Sequence, residues 1–357
     1  MSETDDPRAA GEPSLALPST TVPDPAAAPG LRWGVISPGH IADQFTATAH
    51  RATASRVVSV SSRSRQRAEE FAAKHGIESA FDSVQEMLAA GGLDAVYIAS
   101  PHAQHHELTR PVLEAGLPVL VEKAFTLNTG QARDLLDLAR ERGLFAMEAM
   151  WARFLPQYDV LRQVLDAGLL GEVVEVSADH GQSFPVDPSH RMYAPELGGG
   201  ALLDLGVYPV SFAQMVLGDL GDLAVRGDLT ETGVDATFGL LARGPEGGRA
   251  RLASTLRSRT PTEAVVSGTL GTARLSGAFF APGTLSVSLL DGRSASFAHP
   301  GPGGDGMAYE IAEAARRITA GDLESPLMSW EDTLSVMGTM DAIRAELGVV
   351  YPGEESA

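Results

Sequence analysis

Cysteine is absent from the 357-residue sequence. That excludes a disulfide scaffold, a thiol nucleophile and a Cys-ligated zinc centre. It suits a reducing cytosol, although exported proteins can lack cysteine too. Positive charge is scarce: 27 Lys and Arg stand against 46 Asp and Glu, a formal net charge of −19. A field of that sign repels phosphate backbones and anionic lipids, so nucleic acid and membrane surfaces are poor partners. No unbroken apolar run is long enough to span a bilayer. The N-terminus has no basic region followed by an apolar stretch, so no secretory signal is expected and the chain reads as cytoplasmic. With 44% hydrophobic and 20% charged residues, a chain of this length can bury the cores of two ordinary domains.

Residues 1–30 are rich in Pro, Ala, Ser, Thr and acidic residues and lack apolar periodicity, which predicts a disordered tail. From Leu31 onward, apolar runs (LRWGVIS, RVVSVSSR, LDAVYIAS, LPVLVEK, LFAMEAM) alternate with amphipathic helical segments. Such runs indicate strands buried on both faces, hence an α/β domain with a doubly wound parallel sheet over residues 31–150. Residues 151–352 change texture. The short alternating segments VDATFGLLA, GRARLASTLRS, TEAVVSGTLG, TARLSG, TLSVSLL and SASFAH predict an α+β domain with a large, mostly antiparallel open sheet. Two helices close the chain.

The first strand runs into GVISPGHIA. A dinucleotide site needs a Gly-rich turn between strand and helix, where free N–H groups meet a pyrophosphate. Ser37, Gly39, His40 and Ile41 form that turn here. Gly39 allows close backbone approach, Ala42 allows tight helix packing, and Ser37 replaces the usual first glycine. An ordinary tight turn would also explain this segment. At the end of the second strand no Asp or Glu is present to hold a ribose 2′-hydroxyl. Ser62, Arg63 and Arg67 stand there instead. A guanidinium matches a 2′-phosphate, so NADP is favoured over NAD.

Ligands of open α/β sheets bind beyond the carboxyl ends of the strands. Ser100, Pro101, His102 and His105 follow the third long strand and are expected to line the cleft. Glu122 and Lys123 end the next one. Lys123 is either paired, for instance with Glu122, or used in chemistry. In GGGALLDLGVYPV, Asp204 and Tyr208 lie four residues apart and share one helix face. An ammonium lowers a nearby phenol pKa, so Lys123 beside Tyr208 would help it move a proton, with Asp204 orienting substrate or lysine. A core tyrosine would fit the same spacing. Trp151 and Arg153 are expected to wall the nicotinamide, or else to plug the domain junction. His102 and His106 have helical zinc-ligand spacing, but no further ligand cluster accompanies them, so no metal is expected. QSFPVDPSHRMYAPELGG is expected to cap the pocket.

Together, GVISPGHIA, Ser100-Pro101-His102-Ala103-Gln104-His105 and Glu122-Lys123-Ala124 resemble motifs of the glucose–fructose oxidoreductase/inositol dehydrogenase (Gfo/Idh/MocA) family. The resemblance runs from Leu31 to about Pro352, and Ala124 replaces the family's proline. MEAMWARFLP, GGALLDLGVYPVSF, ETGVD and GMAYE resemble its dimeric dihydrodiol dehydrogenase branch. The resemblance implies an NADP-dependent oxidoreductase that moves a hydride at the carbinol or carbonyl carbon of a sugar, polyol or trans-dihydrodiol. It implies Tyr208 as proton donor or acceptor, Lys123 as its electrostatic partner, and Asp204 as a substrate-positioning carboxylate. It also implies a homodimer or larger homo-oligomer formed through the second domain's sheet. Two other readings stay open at this point: a non-catalytic NADP-binding regulator of the same fold, and a redox-neutral sugar-converting enzyme that recycles its cofactor.

Overall fold

A computed structural model describes residues 15–300 and 306–354. The first domain alternates β1 (Arg32–Ile36), α1 (His40–Ala52), β2 (Arg56–Ser61), α2 (Arg65–His75), β3 (Ser79–Phe81), α3 (Val84–Ala90) and β4 (Ala95–Ile98). It continues with α4 (His105–Glu114), β5 (Val119–Glu122), α5 (Thr129–Arg142) and β6 (Ala146–Ala149). All neighbouring strands are parallel, in the order β3-β2-β1-β4-β5-β6. β4, β5 and β6 are buried along their whole length, which is why they read as unbroken apolar runs. The strand order reverses between β1 and β4, and a doubly wound sheet opens its ligand crevice at that point.

The second domain holds α6 (Pro156–Asp166), β7 (Val173–Gly181), α7 (Val207–Leu217) and β8 (Gly221–Leu229). It goes on through β9 (Asp235–Arg243), β10 (Arg249–Thr255), β11 (Ala264–Gly268), β12 (Gly271–Leu275), β13 (Thr284–Leu289) and β14 (Ser294–Ala298). The helices α8 (Met307–Ala320) and α9 (Trp330–Leu347) follow. The sheet order is β14-β13-β12-β11-β7-β10-β9-β8, with β7 and β10 parallel and the other pairs antiparallel. One face packs on α7, and α9 touches both β8 and α5, joining the domains. The other face alternates outward to solvent along β9, β10 and β12.

Three details differ from the sequence reading. Residues 15–30 are not a loose tail. Leu15 and Ala28 are buried, Asp159 accepts bonds from Thr20 Oγ1 (2.9 Å) and the Thr21 backbone (2.6 Å), and Arg316 donates to the Asp24 carbonyl (2.9 Å). Polar, proline-rich chain can be ordered when another element supplies its hydrogen-bond partners. The tail reading for residues 1–14 lies outside the described residues. The strand β8 escaped notice because only Val225 is buried along it, so an edge strand shows no alternation. Finally, the helix expected around GALLDLGVYPVSF opens with a π-helical turn, Leu202–Gly206. The apolar stretch Pro195–Leu217 has the length to cross a bilayer, but 83% of its most apolar window is buried inside the protein.

Candidate active site

The turn after β1 is shaped by Ser37, whose φ of 69° lies in the left-handed region where glycine is normally needed. Its N–H donates to the Ser61 carbonyl (2.9 Å). Gly39 then caps α1 with no side-chain hydrogen bond. A Cβ added to Gly39 would meet nothing within 4 Å. The N-terminus of a 13-residue helix thus opens onto free space at Gly39, which is what a pyrophosphate requires. The residues present therefore fit a dinucleotide.

A cavity of about 320 Å³ begins at this turn. Gly39, His40 and Ile41 form one wall, and Ser100, Pro101 and His102 form the next. Glu122, Lys123 and Asp204 line its floor. Arg191, Met192 and Leu197 to Gly199 complete it, so the segment expected to cap the pocket does so. Arg67 lies on the far side of the Gly39 turn, in a groove of about 390 Å³ shared with Pro38, Phe71 and Lys74. Ser62 Oγ accepts from the Ser64 N–H (3.3 Å). Arg63 is exposed at the start of the same loop.

At the cavity floor Lys123 Nζ donates to the Asp204 carbonyl (2.9 Å) and to its Oδ1 (3.1 Å). Arg191 grips the same carboxylate with both terminal nitrogens, 3.1 Å each. Burial opposes charge on Asp204, but Lys123, Arg191 and His102 outweigh it and hold the carboxyl well below its usual range. Burial likewise opposes the Lys123 ammonium. Asp204, Tyr208 and Glu122 more than offset it, so the lysine stays protonated at any working pH. The same ammonium lies 5.1 Å from the Tyr208 ring centre.

The Tyr208 oxygen accepts the Trp151 indole N–H (3.1 Å). No protein acceptor takes its own hydrogen among the described residues, which leaves the O–H free for a ligand. The ring stacks on Phe280 (4.2 Å, 21°) and lies beside His180 (5.6 Å). The expected lowering of this phenol's pKa needs correction. Burial is the larger effect and pushes it up to about 12, with Lys123 only partly opposing. His102 donates from Nδ1 to the Gly198 carbonyl (2.9 Å). Burial takes its pKa down to about 3, so the ring is neutral and its Nε2 stands 3.9 Å from Asp204 Oδ1. Glu122 is held by the Tyr97 hydroxyl and by the Lys123 backbone N–H (3.2 Å), while burial raises its pKa.

Ser37, Ser62, Arg63, Arg67, His105, Trp151 and Arg153 are not among the residues that line the cavity, and neither is Tyr208. His105 is fully buried behind the cavity, with ring nitrogens 2.8 Å from the Ala124 and Ser100 carbonyls. It braces the loops that carry Pro101 and Lys123. Arg153 is 3% exposed. It donates to Ser211 Oγ (3.0 Å) and the Ser211 carbonyl (2.9 Å), and it pairs with Asp332 (3.3 Å). It ties the domain junction to α7 and α9, and breaking such a buried pair costs about 3–5 kcal/mol. His106 pairs outward with Asp134 (2.7 Å), away from His102. Arg191, His180 and Phe280 join the site with no local signal of their own in the sequence. The cap segment contained Arg191, but only folding brings it to Asp204.

A phosphate-accepting helix start at a strand-order reversal, with a lysine, a carboxylate and a phenol grouped beside it, defines a two-domain dinucleotide-binding oxidoreductase. The chain belongs to the Gfo/Idh/MocA oxidoreductase family. Residues 31–150 match its "NAD-binding Rossmann fold" profile and residues 158–274 its C-terminal domain. It is 32% identical to a trans-1,2-dihydrobenzene-1,2-diol dehydrogenase of Xenopus laevis, over 90% of this chain and 99% of that one. It is 34% identical to a D-xylose 1-dehydrogenase (NADP(+)) of Hypocrea jecorina, over 90% and 93%. Among solved structures, a 3-ketoreductase from Actinomadura kijaniata in complex with NADP and TDP-benzene aligns with a TM-score of 0.76. It is 28% identical, over 88% of this chain and 97% of that one.

Proposed function

We propose that this protein is an NADP-dependent dehydrogenase/reductase acting on a carbinol or carbonyl carbon of a sugar, polyol or trans-dihydrodiol. The observation that carries the reading is the Lys123 ammonium set between the Asp204 carboxylate and the Tyr208 ring, with the phenol hydrogen unclaimed. When bound, NADP supplies a nicotinamide that accepts or donates the hydride. Gly39, His40 and Ile41 would hold its pyrophosphate, and Ser100, Pro101 and His102 would line the path toward Lys123. Tyr208 takes the hydroxyl proton in oxidation and returns it in reduction. Lys123 steadies the phenolate by charge. Asp204 fixes the lysine and has lone-pair capacity left on Oδ2 for one substrate hydroxyl. A panel of pentoses, polyols and dihydrodiols, followed by the absorbance of reduced nicotinamide, tests the proposal. Binding of NADP without turnover on any member would count against it, as would turnover with no net nicotinamide reduction.

Arg63 and Arg67 are assigned to the 2′-phosphate. Both are exposed, and among the described residues neither has a carboxylate partner to compete. Arg63→Ala is expected to raise KM for NADP by about tenfold, the worth of one charge-assisted contact, and to leave KM for NAD nearly unchanged. Equal effects on both would remove Arg63 from this role.

Homo-oligomerisation through the open sheet face belongs to the same proposal. Leu241 (58% exposed) projects from that face, and an exposed sheet face with an apolar side chain suits a partner copy. Light scattering should give at least twice the chain mass; a monomer at micromolar concentration would count against it. A cytoplasmic setting, with access to the cell's NADP pool, completes the reading. Fractionation placing the protein on membranes or outside the cell would contradict it.

A further inference from the structure

Part of the cavity wall is formed by Gly198 and Gly199, which have no side chains to anchor them. Gly198 approaches so closely that a Cβ there would lie 2.8 Å from Leu127 and 2.9 Å from the His102 Cβ. Gly200 has φ 116°, and a Cβ on it would sit 2.2 Å from Asp235. Such a wall must be held through its backbone. His102 takes the Gly198 carbonyl. The Gly199 carbonyl is taken by the Tyr351 hydroxyl at 2.6 Å, a contact between chain segments about 150 residues apart in sequence.

Tyr351 is itself fixed. It is 1% exposed, Arg344 lies 4.9 Å over its ring, and its N–H donates to Glu354 Oε2 (3.0 Å). Glu354 then receives Arg344 (2.8 and 3.1 Å) and Asn128 Nδ2 (2.7 Å). Asn128 caps α5 of the first domain. Residues 349–354 thus run from the substrate side of the cavity to the dinucleotide-binding domain. Burial keeps the Tyr351 phenol protonated, so the bond to Gly199 persists across the working pH range.

We propose that Tyr351 is a positioning residue for the substrate cavity and that residues 349–354 form a strap setting the distance between the glycine wall and Lys123. This rests on the proposed reading, with the dinucleotide at the Gly39 end of the cavity and the substrate at the end where His102 joins Gly198 to Asp204. The strap acts on where the substrate sits and leaves the proton and hydride steps to the residues already assigned.

The test is Tyr351→Phe, which keeps the ring under Arg344 and removes only the bond to Gly199, together with Glu354→Gln, which loosens the tie to Arg344. Three quantities are read for each: steady-state constants on the best panel substrate, the NADP dissociation constant, and amide hydrogen exchange across residues 192–202. Tyr351→Phe is expected to raise substrate KM by about fivefold, the scale of one lost buried hydrogen bond, with kcat within about twofold. NADP affinity should be unchanged and exchange across residues 192–202 faster. Glu354→Gln should move both readouts the same way by less. An unchanged KM overturns the proposal, whether or not the melting temperature or the exchange changes. If no panel substrate turns over even in the unmutated protein, the functional reading fails, and exchange alone decides whether the strap holds the wall: unchanged protection in Tyr351→Phe overturns it.

Discussion

Tyr208→Phe is expected to lower kcat by about 10²- to 10⁴-fold while NADP binds with nearly unaltered affinity, the usual range for losing a positioned proton-transfer group. The substitution is mild elsewhere. The ring remains stacked on Phe280 and beside His180. Only the Trp151 N–H loses its acceptor, a loss of about 1 kcal/mol that stability can absorb. Steady-state kinetics with calorimetric NADP titration separates the two effects. Turnover within a factor of about five of the unmutated protein would take the phenol out of the mechanism.

Lys123→Met should cost about 10²- to 10³-fold in kcat, the scale of removing one preorganised charge from a water-poor site. Asp204 keeps its two bonds from Arg191, so the fold should survive, and a melting curve checks that. The pH profile carries the sharper information. A phenol pushed up to about 12 by burial is ionised only to a small extent near neutrality. Oxidation needs the ionised form, so its rate should climb with pH through the neutral and mildly alkaline range. When bound, NADP would supply a further positive charge, which favours the phenolate as Lys123 does. Lys123 lowers the phenol pKa, so its loss raises that pKa and the rising limb should extend to higher pH in Lys123→Met. A limb in the same place would mean that Lys123 does not act through Tyr208.

Much of this arrangement could be read from the amino-acid order, for definite reasons. β4 and β5 are buried on both faces, so AVYI and the VLV that precedes Glu122 read as unbroken apolar runs. Lys123 directly follows one of these strands and therefore faces the crevice. Asp204 and Tyr208 are four residues apart, and they stay neighbours even though a π-helical turn replaces regular helix at Asp204. Where the structure differs, the deciding contact or the depth of burial is a property of the fold. Residues 15–30 are ordered by Asp159 and Arg316. His105 and Arg153 were expected at the cofactor because ionisable groups near a cleft attract that reading. Each is instead consumed by buried groups, the Ser100 and Ala124 carbonyls for one and Ser211 and Asp332 for the other. The Tyr208 pKa departs from the expectation because spacing shows the nearby lysine but not the depth of burial, and burial prevails. The role of Tyr351 had no local signal, since Gly199 is joined to it only by the fold.

The most direct test is a single-turnover experiment with a pentose or dihydrodiol deuterated at its carbinol carbon, mixed with protein preloaded with NADP at several pH values. The account predicts that deuterium arrives on the nicotinamide ring at a rate that rises with pH, and that in Tyr208→Phe the transfer is slow and indifferent to pH. Label lost to water, or transfer equally fast in both proteins, would contradict it.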